Sequence, residues 1–309
     1  MQMGQNTLLV TLPQKWVKQQ GIQKGDELEV EITGNGLTVL TEKRRGLGQV
    51  GIDISELNEQ ATRWVLGGLF KKGFEEIHIR LNSPKQLIWI RKLLDEGLFG
   101  FVLIDSDRET CMLRNVAQAI ESELDTLLRR SFLTVQNLGE EIVRLIEDKQ
   151  MQELPNALVY ERLNNQLTNF CQRLLNRKGV SGSESHFLYL ILWHLESICD
   201  RQKYILQHLL KHQEVSKKTL NFYKKANRFF AEYVKVFYHF NLPRLSGILE
   251  EKNSLLKEGE DLFMNLKGAE KTTIRHLLEF IEMTSCLSAS ITALHYKPEL
   301  SKMSMPSRI

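Results

Sequence analysis

A chain of 309 residues with 42% apolar and 26% charged residues has the composition of a folded protein with more than one core. Its net charge of +3 is too small for an overall pull toward nucleic acid, so any such binding must come from a local patch. The four cysteines, Cys111, Cys171, Cys199 and Cys286, form no Cys-x-x-Cys pair, which argues against a zinc ribbon or a disulfide frame and suits a reducing cytoplasm.

Residues 1–45 read as β. Leu8, Val10 and Leu12 alternate with Thr7, Leu9 and Thr11 up to Pro13, and Pro13 to Gln20 has room for two helical turns before Gly21 stops them. After the turn dipeptide Gly25-Asp26, Leu28, Val30 and Ile32 alternate with Glu27, Glu29 and Glu31 as a half-buried strand. Gly34-Asn35-Gly36 predicts a tight hairpin turn, with Leu37 to Leu40 as the return strand. A unit this small buries too little to stand alone and calls for a partner, most simply a second copy. The start of the chain is polar and has no positive region followed by an apolar run, so no signal peptide is expected.

Residues 46–108 change period. Strands are expected at Ile52-Asp53-Ile54, at Ile77 to Leu81 and at Phe99 to Ile104, with helices over Glu59–Lys71 and Pro84–Glu96 ended by Gly73 and Gly97. Helices alternating with short strands predict a small α/β layer. From 109 onward the pattern is helical, with helices expected over 110–148, 153–177, 184–212, 214–240, 243–265 and 269–296. Long helices with short connections form antiparallel bundles, here divisible into two sets of three, 109–212 and 213–296, before a loose tail over 297–309. The most apolar stretch, Phe187 to Leu195, falls short of the roughly 20 residues of a membrane helix, so no membrane insertion is expected.

Two stretches carry a family signature. The strand Leu8-Leu9-Val10-Thr11-Leu12-Pro13, Trp16, Gly21, Gly25-Asp26-Glu27 and Gly34-Asn35-Gly36, with Gly4 before them, resemble the AbrB/MazE family of swapped-hairpin DNA-binding domains. The resemblance implies a homodimer in which two chains interleave hairpins into one small β-barrel and close otherwise open edges. It also implies DNA contacts from the strand and loop surface. The candidates are Gln5 and Asn6, which can read base edges, and Lys15, Lys18, Lys24, Lys43, Arg44 and Arg45, which can meet phosphates. Glu27, Glu29, Glu31 and Glu42 oppose them, and the plain alternative is a dimerisation module with solvated lysines.

The helical part resembles PhoU, the family of phosphate-signalling regulators built from two three-helix repeats. The resemblance rests on Leu188 to Ile205, "LYLILWHLESICDRQKYI", where Glu196 and Asp200 stand at the family's Glu-x-x-x-Asp signature, and on Tyr160 to Leu175, where Glu161 and Asn165 occupy acidic positions. Carboxylates at i and i+4 share a helix face and can reach one hard cation. The resemblance therefore implies a divalent or ferric metal ion in the first repeat on Glu196, Asp200, Glu161 and Asn165; the alternative is an ordinary solvated acidic face. In the second repeat Glu282 and Cys286 fall at the signature, and a thiol there removes a hard oxygen ligand.

Together these predict a multidomain α+β chain, mainly α: an AbrB-like head (1–45), a small α/β middle domain (46–108), and a PhoU-like pair of three-helix bundles (109–212 and 213–296), as in the fused archaeal form. The implied function is cytoplasmic transcriptional regulation of phosphate uptake on a pseudo-palindromic operator. The alternative is a PhoU-type adaptor that docks on a phosphate transporter or signalling protein without touching DNA. An enzyme is not expected, because no phosphate loop, nucleophile elbow or catalytic triad pattern is present. The histidines show no metal-ligand spacing, Gly67-Gly68 lies within a helix, and the aromatics between Phe222 and Phe240 read as bundle core.

Overall fold

The computed structural model describes residues 9–33, 36–40, 47–117, 123–177, 183–213 and 215–296, and its contacts divide the chain into two units, Met1–Gly46 and Leu47–Ile309. In the first unit, helix α1 (Gln14–Gln20) starts behind Pro13, whose carbonyl accepts the Val17 N–H at 3.1 Å. Gly21 ends the helix at φ 65°, with its own N–H on Lys18 O and the Ile22 N–H on Val17 O. These two bonds close a helix that turns left-handed at its end, a conformation glycine adopts without steric cost. Strands β1 (Glu29–Thr33) and β2 (Gly36–Leu40) then pair antiparallel, with Val30 opposite Val39 and Ile32 opposite Leu37.

The strand expected before Pro13 is different. Residues 9–13 carry no strand pairing among the described residues. Alternation marks a strand face, but a ladder needs a neighbour, and here none is at hand within the described chain.

The second unit begins with β3 (Gln49–Asp53), α2 (Glu59–Lys72), β4 (Glu76–Arg80), α3 (Pro84–Glu96), β5 (Phe101–Ser106) and β6 (Thr110–Asn115). The sheet order is β3-β4-β6-β5, with β3 and β4 parallel and β6 antiparallel to both of its neighbours. Asn58 caps α2 by accepting from the Ala61 N–H at 2.9 Å, and Gly73 ends it at φ 106°. Ile77, Ile79, Cys111 and Leu113 point into a core with Leu66, Phe70, Ile90 and Leu93. The helix expected from residue 110 begins only at Leu124, because 110–115 is β6. Asp107 closes the turn into it by accepting from the Glu109 and Thr110 N–H groups, and Cys111 and Leu113 then bury with a period of two.

This layer does not complete its own core. Phe170 and Leu174, from the helical part, belong to it. Beside them Arg173 is fully buried; its guanidinium donates to Phe70 O at 2.8 Å and to Glu75 at 3.3 Å and lies over the Phe70 and Phe101 rings. Burial pulls its pKa down to about 10, against the opposing pull of Glu75, so it stays charged at neutral pH.

The helices are α4 (Leu124–Glu147), α5 (Leu154–Arg177), entered through a 3₁₀ turn at Met151–Glu153, α6 (Ser183–His212), α7 (Lys217–Tyr238), α8 (Leu242–Asn265), α9 (Glu270–Ser285) and α10 (Leu287–His295). Their buried side chains form one continuous core rather than two, from Leu128 on α4 to Ile291 on α10. The aromatics of α7 fill its centre: Phe222, Tyr223, Phe229, Phe230, Tyr233 and Phe237 are all buried. Gly259 lets α8 approach closely, since a Cβ there would come within 2.6 Å of the Phe222 ring.

The last predicted helix is broken at Cys286. Thr284, Ser285, Ser288 and Thr292 each bond back to a backbone carbonyl three or four residues earlier, a pattern that bends helices. The run Glu270–His295 is also long and apolar enough, by length and composition, to cross a membrane, which the shorter stretch Phe187–Leu195 did not suggest. Its Ile274, Leu277, Phe280, Ile281, Leu287 and Ile291 are buried in the shared helical core.

Candidate nucleic-acid interface and carboxylate cluster

In the first unit, Lys15 and Lys18 stand one turn apart on α1, and both are exposed. Lys24 is exposed in the turn that follows. That turn is tied by Asp26, which accepts the Gln23 N–H on its carboxylate at 2.8 Å and donates its own N–H to Gln23 O, while Gly25 supplies a φ of 99°. The motif Gly21 to Asp26 thus has a structural meaning: two left-handed glycines and one side-chain clasp fix where Lys24 projects. The other predicted DNA contacts, Gln5, Asn6, Lys43, Arg44 and Arg45, lie outside the described residues.

The hairpin leaves an apolar face uncovered. Val30, Ile32 and Leu37 are exposed, Ile32 by 81%, and so are Leu9 and Val10. Ile32 and Leu37 are opposite each other in the ladder, so their side chains lie on the same face. A lone two-stranded hairpin is marginal in water, and one with its apolar face in solvent is more so.

In the second unit, the structure brings three of the four predicted metal ligands together, around an ammonium. Glu161 on α5 is buried, and its Oε1 accepts from Lys203 Nζ at 2.8 Å and from Asn165 Nδ2 at 2.7 Å. Asp200 on α6 accepts from the same Lys203 Nζ at 2.5 Å. Burial by itself would lower the Lys203 pKa; the hydrogen bonds to Asp200 and Glu161 and their charges outweigh it and hold the ammonium above its ordinary range. Glu196 pairs instead with Lys71 at 3.4 Å, and the Lys71 ammonium also lies over the Trp193 ring. Among the described residues no group of three or more His, Cys, Asp or Glu side chains is arranged to hold a metal. As placed, Glu161, Asp200 and Asn165 do not fit one: the position between the carboxylates is filled by a fixed positive charge.

Cys199 lies beside this cluster, fully buried. Burial first, then the charges of Glu161 and Asp200, push its thiol well above the ordinary range, the opposite of an activated nucleophile. In the second repeat the predicted Glu282 and Cys286 are exposed. The residue that faces the other helices is Glu279, which pairs with Arg201 at 2.7 Å and with His276 at 3.3 Å.

Sequence reasoning thus missed Lys203, Lys71 and Arg201, the cations that answer the acidic positions. Lys203 had a signal available, since it stands at i+3 from Asp200. Lys71 had none, being far away in sequence.

Compared with known proteins, residues 2–47 match the family described as antidote-toxin recognition MazE, bacterial antitoxin. No curated protein and no solved structure matches the chain. The matched segment coincides with the unit that carries the exposed lysines and the uncovered hairpin face.

Proposed function

We propose that this chain is a homodimeric DNA-binding regulator whose first unit is the DNA-contacting head and whose helical unit is the sensing or docking body. The match of residues 2–47 to the MazE antitoxin family carries the reading, because such domains are DNA-binding dimers. The exposed Lys15, Lys18 and Lys24 support it as phosphate contacts, and the uncovered face of Val30, Ile32 and Leu37 supports a second chain as partner. The finer proposal is regulation of phosphate uptake in the cytoplasm. It rests on the resemblance of 160–175 and 188–205 to the PhoU family, and the order of long helices α4 to α9 is in keeping with it. We read the protein as a binding protein rather than an enzyme, since Glu161, Asp200 and Glu196, the best acid-base candidates, are each engaged by a lysine.

The test is a selection from fragmented genomic DNA on the full-length protein at two salt concentrations. Enrichment of an inverted repeat upstream of phosphate-transport genes is the expected result. Alanine at both Lys15 and Lys18 should then reduce the slope of log affinity against log salt by about 2 per chain. No enrichment by a folded dimer sinks the DNA-binding reading. The family's description favours a second reading, an antitoxin-type regulator with a protein partner. Capture of a stoichiometric partner protein with no DNA would select it.

A further inference from the structure

We infer that Lys203 is a built-in cation: its ammonium takes the position between Glu161 of α5 and Asp200 of α6 that a divalent metal would occupy, so the native chain is metal-independent at this pair and Lys203 masks a latent metal site. The inference does not depend on the DNA-binding reading.

Three observations carry it. The first is geometry. Lys203 Nζ is 2.8 Å from Glu161 Oε1 and 2.5 Å from Asp200 Oδ1, so one donor bridges carboxylates on two different helices. The second is confinement. The Lys203 and Glu161 side chains are only 20% and 10% exposed, and the Tyr204 ring lies 5.4 Å from the ammonium. Glu161 is nearly cut off from water and Asp200 is 28% exposed, so a nearby cation stabilises the pair, and a lysine on the helix of Asp200 supplies it without a binding equilibrium. The third is an oxygen left over. Asn165 donates to Glu161, but its own Oδ1 is buried with no hydrogen-bond partner. Glu161 and Asp200 offer oxygens of the kind a hard cation takes, with Asn165 bonded to Glu161 beside them, and the ammonium is the group that stands in its way.

An incoming metal would have to expel a charged group that already satisfies both carboxylates. Its gain is then the difference between two cations rather than the full energy of filling an empty anionic site. The same lysine also links α5 to α6, so the link between these helices persists whatever the metal supply.

The experiment compares the full-length protein with Lys203→Met, Lys203→Gln and Lys203→Met/Asp200→Asn, by melting temperature in chelator and in excess Mn²⁺ and by counting bound Mn²⁺ after dialysis. The native chain should melt at the same temperature in both conditions and retain no ion. Lys203→Met should melt lower in chelator, recover by several degrees in Mn²⁺ and hold one ion per chain, and the double variant should lose that response. Where Lys203→Met does not fold, Lys203→Gln, which keeps a polar stem of similar reach, is read the same way. One Mn²⁺ retained per native chain and lost on Asp200→Asn would overturn the inference. So would a folded Lys203→Met or Lys203→Gln that ignores Mn²⁺, since the pair would then not be a cation position.

Discussion

The two units treat their apolar residues in opposite ways. In the helical bundle a large set is inside: Phe222, Phe229, Phe280 and Ile281 have no solvent exposure and one core runs from α4 to α10, although Trp193 and Met264 stay more than half exposed. In the head the apolar residues of the described hairpin are outside, with Val30, Ile32 and Leu37 all more than half exposed. One unit builds a continuous core within a single chain. The other has the pattern of a core face without, among the described residues, the second layer that would make it a core. The helical core is intramolecular; on the proposed homodimer, the stability of the head would depend on protomer concentration.

A charge on the uncovered face should break this contrast most sharply. Ile32→Glu places a carboxylate on the face where the proposed second chain packs. The expected outcome is a monomer in sedimentation at concentrations where the native chain is a dimer, with DNA retention lost alongside. The melting of the helical unit should stay within about 0.5 kcal/mol of native, as for a surface substitution. A dimer that survives this change would place its interface in the helical unit instead.

The complementary change is Phe230→Ala. Phe230 contacts Phe132 on α4 and Phe280 on α9, so it ties together helices of both predicted repeats. Its removal should cost about 3–5 kcal/mol in denaturant unfolding while leaving the dimer intact. The whole helical unit should shift in one transition. Two transitions, one unmoved, would mean that two bundles exist after all.

Arg173→Met comes next. It keeps most of the volume but leaves Phe70 O without its donor and removes one of the two arginines that meet Glu75. About 2–3 kcal/mol should be lost. Hydrogen exchange should accelerate first in residues 47–117, the layer that Arg173 pins to α5. Uniform acceleration across all helices would show that layer and bundle open together.

Much of this organisation was legible in the sequence, for identifiable reasons. The long helices announced themselves because apolar residues recur over many turns, and α5 to α8 begin and end near their expected positions. The strand β6 was missed because Cys111-Met112-Leu113 is a short apolar run that fits either period. The bend at Cys286 depends on hydroxyls bonding back to carbonyls, which composition does not reveal. For the carboxylate cluster, the i,i+4 pair Glu196 and Asp200 does not share one cation: Glu196 meets Lys71, while Asp200 joins Glu161 of the neighbouring helix on Lys203, a cation that α6 itself carries. In the second repeat the expected pair Glu282 and Cys286 faces solvent, and Glu279, one turn earlier, faces Arg201. A one-turn offset changes which residue meets a neighbouring helix, and helical spacing alone does not fix it.

The smallest effect separates the units by pH. His276 lies on α9, 14% exposed, facing Glu279 and Arg201, with Arg275 on its own helix and the Tyr204 ring of α6 beside it. Burial lowers its pKa below the ordinary 6.5, and the opposing pull of Glu279 does not restore it. The unfolded chain therefore takes up this proton before the folded one does. By linkage, the folded state is favoured above the ordinary value and loses stability as pH falls through 6.5 toward the lower folded value. Glu279, held below its ordinary value despite burial by its bonds to Arg201 and His276, loses stability in the same direction at lower pH. Melting of the helical unit followed from pH 7.5 to pH 5 should thus show a decline whose upper part is smaller in His276→Gln, the rest coming from His295 on α10, whose pKa burial also lowers. The head has no histidine among its residues 1–46, so its dimer dissociation should not show that upper step. An equal decline in His276→Gln would assign the step to another group, and a decline in dimerisation over the same window would mean that the two units, so different in how they bury apolar surface, are energetically coupled.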